Sequence, residues 1–411
     1  MKNLFILNDY QSSKTNGIGS YINQLTACFK NEEHIILTII DLYADTTQFC
    51  ITQIGGINRI QFPHFKFGAS LEKISRIINT FFKIYIPDNE DNIFIFNHSP
   101  NSELMKRIRT SHPKSKQVYV IHNMSWTTIF NGDEIEFKKS FKKNQESDTR
   151  ITFMFKEEIS MCMEADRIVC LCHDTYQLLK THYQISEKKL VCISNGLQMI
   201  GKMKYNKILI RHSLQLSNKE IILLYVGRIN KSKGAFELIK AFKSLASRLS
   251  NCRLVMIGAA QNWNEVFSLI YPFSSRFIFT GVLNRDDINK WYHIADIGII
   301  PSYTEQCSYV GLEMLSYGLP IVCSDGFGVK NVFDEFYGLT AQIGDRKSPD
   351  IYIKNLADKI KELILSESLR KHYSDISKKV FKEKYTFLKM KEKYLSLIEE
   401  LVPKTTNKHP S

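Results

Sequence analysis

Residues 297–324 read IGIIPSYTEQCSYVGLEMLSYGLPIVCS. A short apolar run, IGII, ends in Pro301-Ser302. A polar loop follows, then an apolar stretch at helical spacing, then a second apolar run, IVCS. Strand, helix and strand in that order, each strand apolar at consecutive positions, describe a piece of parallel sheet covered on both faces. The stretch also holds two carboxylates with seven residues between them. Glu305 falls in the loop where strand gives way to helix, and Glu313 falls inside an otherwise apolar helix.

The same alternation runs outward in both directions. Upstream lie IILLYVG (221–227), RLVMIG (253–258) and RFIFTG (276–281), with amphipathic stretches between them. An earlier series comprises NLFILN (3–8), HIILTIID (34–41), NIFIFN (92–97), QVYVIH (117–122), RIVCLC (167–172) and KLVCIS (189–194), with helical patterns at 20–30 and 102–109. These are enough strands for two parallel sheets, and 411 residues exceed what one compact core usually spans. The break belongs at NGLQMIGKMKYNK (195–207), which lacks apolar periodicity. The expectation is an N-terminal domain over 1–196 and a second over 207–385. A helix over 386–402, with Leu395, Leu397, Ile398 and Leu401 on one face, crosses back to the first domain, and residues 403–411 form a disordered tail.

Composition narrows the class. No run of about 18 consecutive apolar residues is present, so no membrane-spanning helix is expected. The opening MKNLFILNDY reads as a core strand rather than a secretory signal. The nine cysteines follow no disulfide-like framework, and Cys170 and Cys172 read as buried thiols of a reducing cytoplasm. The formal net charge is +13; positions 1–200 hold 23 basic and 21 acidic residues, positions 201–411 hold 32 and 21. Part of that excess lies in the helical sequence 370–393 and reads as a solvated face. A basic balance also suits anionic substrates or a peripheral contact with an anionic membrane surface. Aromatic residues do not interleave with the basic ones as a nucleic-acid platform would require.

In parallel α/β sheets ligands bind at the carboxyl ends of the strands. After the first strand comes DYQSSKTNGIGSYINQL, where Gly17 and Gly19 open a helix and permit close approach to the backbone. After 221–227 comes GRINKSKGAFELIKAF, with Arg228 and Lys233 flanking a turn at a helix start, a pairing of fork and point charge suited to a diphosphate. After 297–301, Glu305 and Glu313 suit paired sugar hydroxyls, and the backbone from Ser308 through Tyr309 to Val310 offers a helix start for an anion.

YVGRINKSKGAFELIKAF (225–242) and FTGVLNRDDINKWYHIADIGIIPSYTEQCSYVGLEMLSYGLPIVCSD (279–325) resemble the donor-binding domain of family 4 glycosyltransferases, in which two Rossmann-like domains face a central cleft in the GT-B fold. The likeness is close over 221–345 and holds in outline in the first half, through the glycine turn, VIHN, ADRIVCLC and ISNG. It implies that Arg228 and Lys233 bind the donor diphosphate and that Glu313 binds the ribose. It implies further that Glu305 contacts the transferred sugar, that Ser308, Tyr309 and Val310 contact phosphate and sugar through their backbone, that Gly17 closes over the phosphates, and that His122 stands near the donor sugar. Two positions depart from the family pattern. Asn16-Gly17 replaces a glycine pair, and Asn331 falls where an acidic residue is common.

The resemblance implies a retaining glycosyltransferase that takes a sugar from a nucleotide-diphosphate sugar, most readily a UDP-sugar, with no metal and no cofactor. Two alternatives stay open: a nucleotide-sugar 2-epimerase of the same fold, and a non-catalytic nucleotide-sugar-binding protein. The acceptor is open between glycan, lipid-linked and peptide. KKSFKK (138–143) suits a lipid surface or a solvated helix face, and HNMSW (122–126) resembles glycosyltransferases associated with peptide maturation. The expected location is the cytoplasm, with peripheral contact at the inner membrane face.

Overall fold

The computed structural model describes residues 1–15, 17–66, 68–144, 150–198, 206–333 and 339–403. The tail beyond 403, most of the 195–207 break and Asn16 therefore lie outside the described residues, as do the side chains of Lys142 and Lys143. The chain divides into two compact units.

The first unit comprises Met1–Ser125, Lys138–Gly196 and the chain from Phe387 onward. Its strands are β1 (Lys2–Asp9), β2 (Ile35–Ala44), β3 (Cys50–Ile54), β4 (Ile57–Pro63), β5 (Asn92–Phe96), β6 (Lys116–Ile121), β7 (Arg167–Cys170) and β8 (Leu190–Cys192). They lie in the order β3-β4-β2-β1-β5-β6-β7-β8. The central strand β1 pairs in parallel with β2 and β5, so that Leu4 faces Leu37 on one side and Ile93 on the other. Leu4, Ile6 and Ile93 are fully buried, as strands covered on both faces require.

This sheet departs from the expected all-parallel form at one edge. β3 runs antiparallel to β4 through the two-residue turn Gly55-Gly56, whose φ angles are +59° and +80°. Two consecutive positive φ values are the geometry of the tightest hairpins, and glycine adopts them without steric cost. The Gly-Gly pair between β-prone runs was a hairpin signal in the sequence. The run itself is only partly apolar because β3 is an exposed edge, with Ile51 and Ile54 more than half accessible.

The second unit comprises Trp126–Phe137 and Leu197–Thr386. Its strands are β9 (Ile221–Val226), β10 (Cys252–Ile257), β11 (Phe277–Gly281), β12 (Ile297–Ile300), β13 (Ile321–Ser324) and β14 (Leu339–Ala341), in the order β11-β10-β9-β12-β13-β14 and all parallel among the described residues. β14 is only three residues long, too short for its apolar pattern to stand out in the sequence. The core on one face gathers Leu223, Leu238, Phe242, Met256, Ile299 and Ile360.

The chain returns to the first unit at Phe387. The helix Phe387–Leu401 buries Met390, Tyr394, Leu397, Ile398 and Leu401, with Leu395 only half-buried. It packs on the helix Gly17–Phe29: the Tyr21 and Tyr394 hydroxyls are hydrogen-bonded, and the Phe29 and Tyr394 rings meet edge-on at 6.2 Å. The helix expected over 20–30 begins at Gly17 and follows a short helix, Tyr10–Thr15.

Segment 126–137, assigned by sequence to the first domain, belongs to the second unit. Trp126 is fully buried, stacked on Phe137 at 4.7 Å and edge-on to Phe327 at 4.8 Å. Arg346 Nη1 donates to the Asn131 carbonyl at 3.0 Å. A large aromatic side chain buries where a matching apolar wall exists, and part of that wall is Phe327, 201 positions downstream.

Candidate active site

In the second sheet the chain lays β10 and β11 on one side of β9 and then returns to lay β12, β13 and β14 on the other. The order therefore reverses between β9 and β12. At such a point the loops from neighbouring strands diverge and leave a crevice at the carboxyl ends. The loops carrying Arg228, Lys233 and Glu305 leave from these two strands.

The loop after β9 is rigidly built. Tyr225 Oη donates to the Arg228 carbonyl at 2.6 Å. Asn230 caps the turn Lys231–Lys233 by accepting from the Lys233 amide at 3.1 Å. Gly234 then takes φ +62°, and a Cβ there would sit 1.9 Å from the Pro301 carbonyl oxygen, so this loop presses on the end of β12. Arg228 is exposed and Lys233 half-buried. Lys233 Nζ lies 2.5 Å from Glu305 Oε1, which also accepts from Ser302 Oγ at 2.8 Å. The Glu305 amide donates to the Phe327 carbonyl at 3.0 Å, which fixes the loop between β12 and β13.

Ser308 is the N-cap of the helix Tyr309–Ser316 and accepts from the Gly311 amide at 3.3 Å. The backbone of Ser308, Tyr309 and Val310 is thus the first turn, where helix amides favour an anion. Glu313 lies one turn further and is 6% exposed. Its Oε1 pairs with Arg285 Nη1, and its Oε2 accepts from Tyr292 Oη at 2.6 Å. A carboxylate buried in an apolar helix requires such partners. Tyr317 stacks on Tyr292 at 5.4 Å. Burial and the neighbouring carboxylate raise the Tyr292 phenol well above its usual value, and burial pushes Tyr317 up to about 12. Both therefore stay neutral. Arg285 and Tyr292 are partners of Glu313 that the sequence reading missed, because they stand 28 and 21 residues before it.

Gly17, Gly19 and His122 lie in the first unit. A Cβ on Gly17 would meet nothing within 4 Å, whereas one on Gly19 would lie 2.1 Å from the Ser13 carbonyl oxygen. Gly19 thus has a packing reason of its own: it lets the helix Gly17–Phe29 close on Tyr10–Thr15. His122 follows β6. Its Nε2 is 3.1 Å from Asn97 Oδ1, and Asn97 Nδ2 donates to the Leu7 carbonyl at 3.1 Å. That second bond orients the amide, so His122 carries its proton on Nε2. Tyr21 meets the imidazole edge-on at 4.3 Å. Burial, helped by the neighbouring His98, pushes the His122 pKa down to about 3. It is a neutral hydrogen-bonding group at physiological pH, held by Asn97 and Tyr21, neither of which a local motif reveals.

Residues 206–380 match the family model described as Glycosyl transferases group 1. A capsular polysaccharide biosynthesis glycosyltransferase of Staphylococcus aureus is 26% identical over 56% of this chain and 60% of its own length. The chain spans about half the length of the curated relatives it matches. Among solved structures, sucrose-phosphate synthase from Thermosynechococcus elongatus superposes with a TM-score of 0.76 at 15% identity, over 98% of this chain and 99% of that one. Anabaena HepE in complex with UDP superposes with a TM-score of 0.72 at 14% identity, over 97% of this chain and all of that one. Residues 206–380 thus match the glycosyl transferases group 1 family, and the chain as a whole has the GT-B fold.

Proposed function

We propose that this protein is a retaining glycosyltransferase. It moves a sugar from a UDP-sugar to a hydroxyl of a glycan, lipid-linked or peptide acceptor, without a metal ion. The observation that carries the reading is the grouping of Arg228, Lys233 and Glu305 at the β9–β12 reversal, with Glu313 on the helix that follows. One strand end offers two cations and the other offers two carboxylates with a helix start between them. A nucleoside diphosphate sugar has the complementary order of diol, diphosphate and hydroxylated ring. UDP as the nucleotide is supported by the likeness to HepE, whose structure contains UDP.

In this reading the Glu313 carboxylate takes the ribose hydroxyls, and Arg228, Lys233 and the first-turn amides from Ser308 to Val310 take the diphosphate. As the anomeric bond breaks, negative charge grows on the leaving diphosphate, and these fixed positive groups stabilise it without an ion. Glu305 faces the sugar, whose anomeric carbon gains positive charge. Gly17 allows backbone approach to the phosphates. The neutral imidazole of His122 hydrogen-bonds the transferred sugar and does not act as a base. The acceptor proton passes to the leaving diphosphate, so the acceptor attacks from the face that the leaving group vacates and the configuration is retained.

Incubation with labelled UDP-sugars, with and without a chelator, tests this. Proton NMR of the first-formed product reads the anomeric configuration. Transfer or slow hydrolysis with retention, unaffected by EDTA, is expected. Inversion, a C2 epimer, activity restored only by added magnesium or manganese, or binding without turnover would each overturn it.

A further inference from the structure

Residues 126–137 belong to the second unit, although the chain on either side of them belongs to the first. Trp126 and Phe137, both fully buried and stacked on each other, hold the two ends of this excursion together. Between them the chain bends tightly. Asn131 and Gly132 take φ +48° and +70°, and the Gly132 amide donates to the Thr127 carbonyl at 2.8 Å. The bend lies against the loop after β12: a Cβ on Gly132 would sit 2.9 Å from the Tyr303 carbonyl oxygen and 3.3 Å from Thr304 Cβ. Phe327, which Trp126 meets edge-on, accepts the Glu305 amide through its carbonyl at 3.0 Å.

Tyr303 is the joint between the two loops that carry Lys233 and Glu305. It stands two positions before Glu305, and its amide donates at 3.2 Å to the carbonyl of Ser232, the neighbour of Lys233. Its ring is buried, and its hydroxyl donates to Glu237 Oε1 at 3.0 Å. Arg346, in the loop after β14, reaches both partners of this contact. Its guanidinium lies over the Tyr303 ring, 5.3 Å from the centroid, and its Nη1 donates to the Asn131 carbonyl at 3.0 Å. A planar fork that stacks on an aromatic face while donating in its own plane is what arginine offers and lysine does not. Burial works against this charge, and the carboxylates of Asp133 and Asp325 support it.

We propose that Arg346 is a positioning residue for sugar transfer: by holding the 126–137 bend on Tyr303, it fixes where Glu305 stands relative to Lys233 and the donor sugar. This rests on the donor reading above, in which Arg346 itself meets no part of the donor. The loop after β9 keeps its own bonds, from Tyr225 to the Arg228 carbonyl and from the Lys233 amide to Asn230. Diphosphate binding is therefore separable from the pose of Glu305. Lys347 supplies the comparison. Its Nζ lies 4.0 Å from Glu136 Oε1, with the two side chains 81% and 48% exposed, so it ties the same segment by a surface ion pair.

Calorimetry with UDP and turnover of a labelled UDP-sugar at saturating donor, both on the full chain, test the role. The UDP stoichiometry counts folded chains, so kcat is read per binding site and a merely structural loss appears in the stoichiometry alone. Arg346→Ala should lower kcat about tenfold while UDP affinity changes less than about threefold. Arg346→Lys, which keeps a cation and a donor without the fork, should fall between Arg346→Ala and the unsubstituted chain. Gly132→Ala, which sets a methyl against the Tyr303 carbonyl, should lower kcat with the same sparing of UDP affinity. Lys347→Ala should change neither. Arg346→Lys and Gly132→Ala keep the test open if Arg346→Ala does not fold. A chain that does not bind UDP, or binds it without turnover, overturns the donor reading and this inference with it. A chain that turns over overturns the positioning role alone under any of three results. These are kcat per site unchanged in Arg346→Ala and Gly132→Ala, UDP affinity falling in step with kcat, or Lys347→Ala lowering kcat as much.

Discussion

Lys233 and Glu305 are ion-pair partners, Nζ to Oε1 at 2.5 Å, although 72 residues separate them. Their side chains are 26% and 16% exposed, so the pair is largely withdrawn from water. They meet because β9 and β12 are neighbours in the sheet, and each residue leaves the carboxyl end of its own strand. A donor diphosphate would exchange one anionic partner of Lys233 for another and release the Glu305 carboxylate toward the sugar.

Glu305→Gln should therefore keep or tighten affinity for UDP alone, because Lys233 no longer has a competing carboxylate, while kcat falls. Lys233→Ala should weaken UDP by roughly 1.5–3 kcal/mol, the contribution of a charge-assisted hydrogen bond. It should also destabilise the second unit, since a mostly buried carboxylate loses its counter-ion. Calorimetry with UDP and steady-state kinetics on both variants check this. A loss of UDP affinity in Glu305→Gln equal to that in Lys233→Ala would show that the pair acts as one unit.

The Glu313 cluster should separate binding from turnover. Arg285→Ala removes a partner that is half-exposed and leaves the carboxylate to its hydrogen bond from Tyr292. Donor KM should rise and kcat change less, as expected when uniform binding is lost. Glu313→Gln should do the same more strongly. Tyr292→Phe leaves Oε2 buried without its donor and should cost about 1–3 kcal/mol in chemical denaturation. Equal falls in kcat and kcat/KM for Arg285→Ala would contradict the assignment of Glu313 to the unreactive ribose.

His122 sets an acid limit on stability. Its folded pKa is pushed from 6.5 to about 3 by burial and by His98. Between those values the unfolded chain takes up a proton that the folded chain refuses. The contribution is complete above pH 6.5 and is lost as the pH falls toward 3. Thermal unfolding from pH 7.5 to 4.5 should show a steep acid limb that becomes shallower in His122→Gln. His98, also lowered by burial, supplies part of the remaining slope. An unchanged limb would mean that the imidazole is already protonated in the folded protein.

Gly17 and Gly234 should respond in opposite ways to alanine. Gly17→Ala adds a methyl into open space and should leave Tm unchanged, so any rise in donor KM reports the proposed phosphate contact. Gly234→Ala combines φ +62° with a Cβ 1.9 Å from the Pro301 oxygen. It should lower Tm by several degrees, since about 1 kcal/mol or more of strain enters the loop that carries Lys233. Differential scanning calorimetry beside UDP kinetics distinguishes the two effects.

What was legible in the sequence was local. Runs such as IILLYV and IGII read as buried parallel strands because a strand covered on both faces is apolar at consecutive positions. The placement of Arg228, Lys233 and Glu305 followed from the rule that loops after such strands meet ligands. The Gly55-Gly56 hairpin was also written locally and was overlooked, while β14 was too short to register.

Partnership was not local. That Glu313 is held by Arg285 and Tyr292, that His122 leans on Asn97 and Tyr21, and that Trp126 buries against Phe327 depend on strand order and on the faces that helices turn to the sheet. Sequence by itself determined which segments are strands, which loops carry charge and where glycine permits a turn, because periodicity and backbone sterics act over a few residues. Tertiary structure decided which charges neutralise each other and which imidazole stays neutral. Burial and Coulomb interaction depend on distance in space, and a separation of 72 residues along the chain becomes 2.5 Å only when β9 and β12 lie side by side.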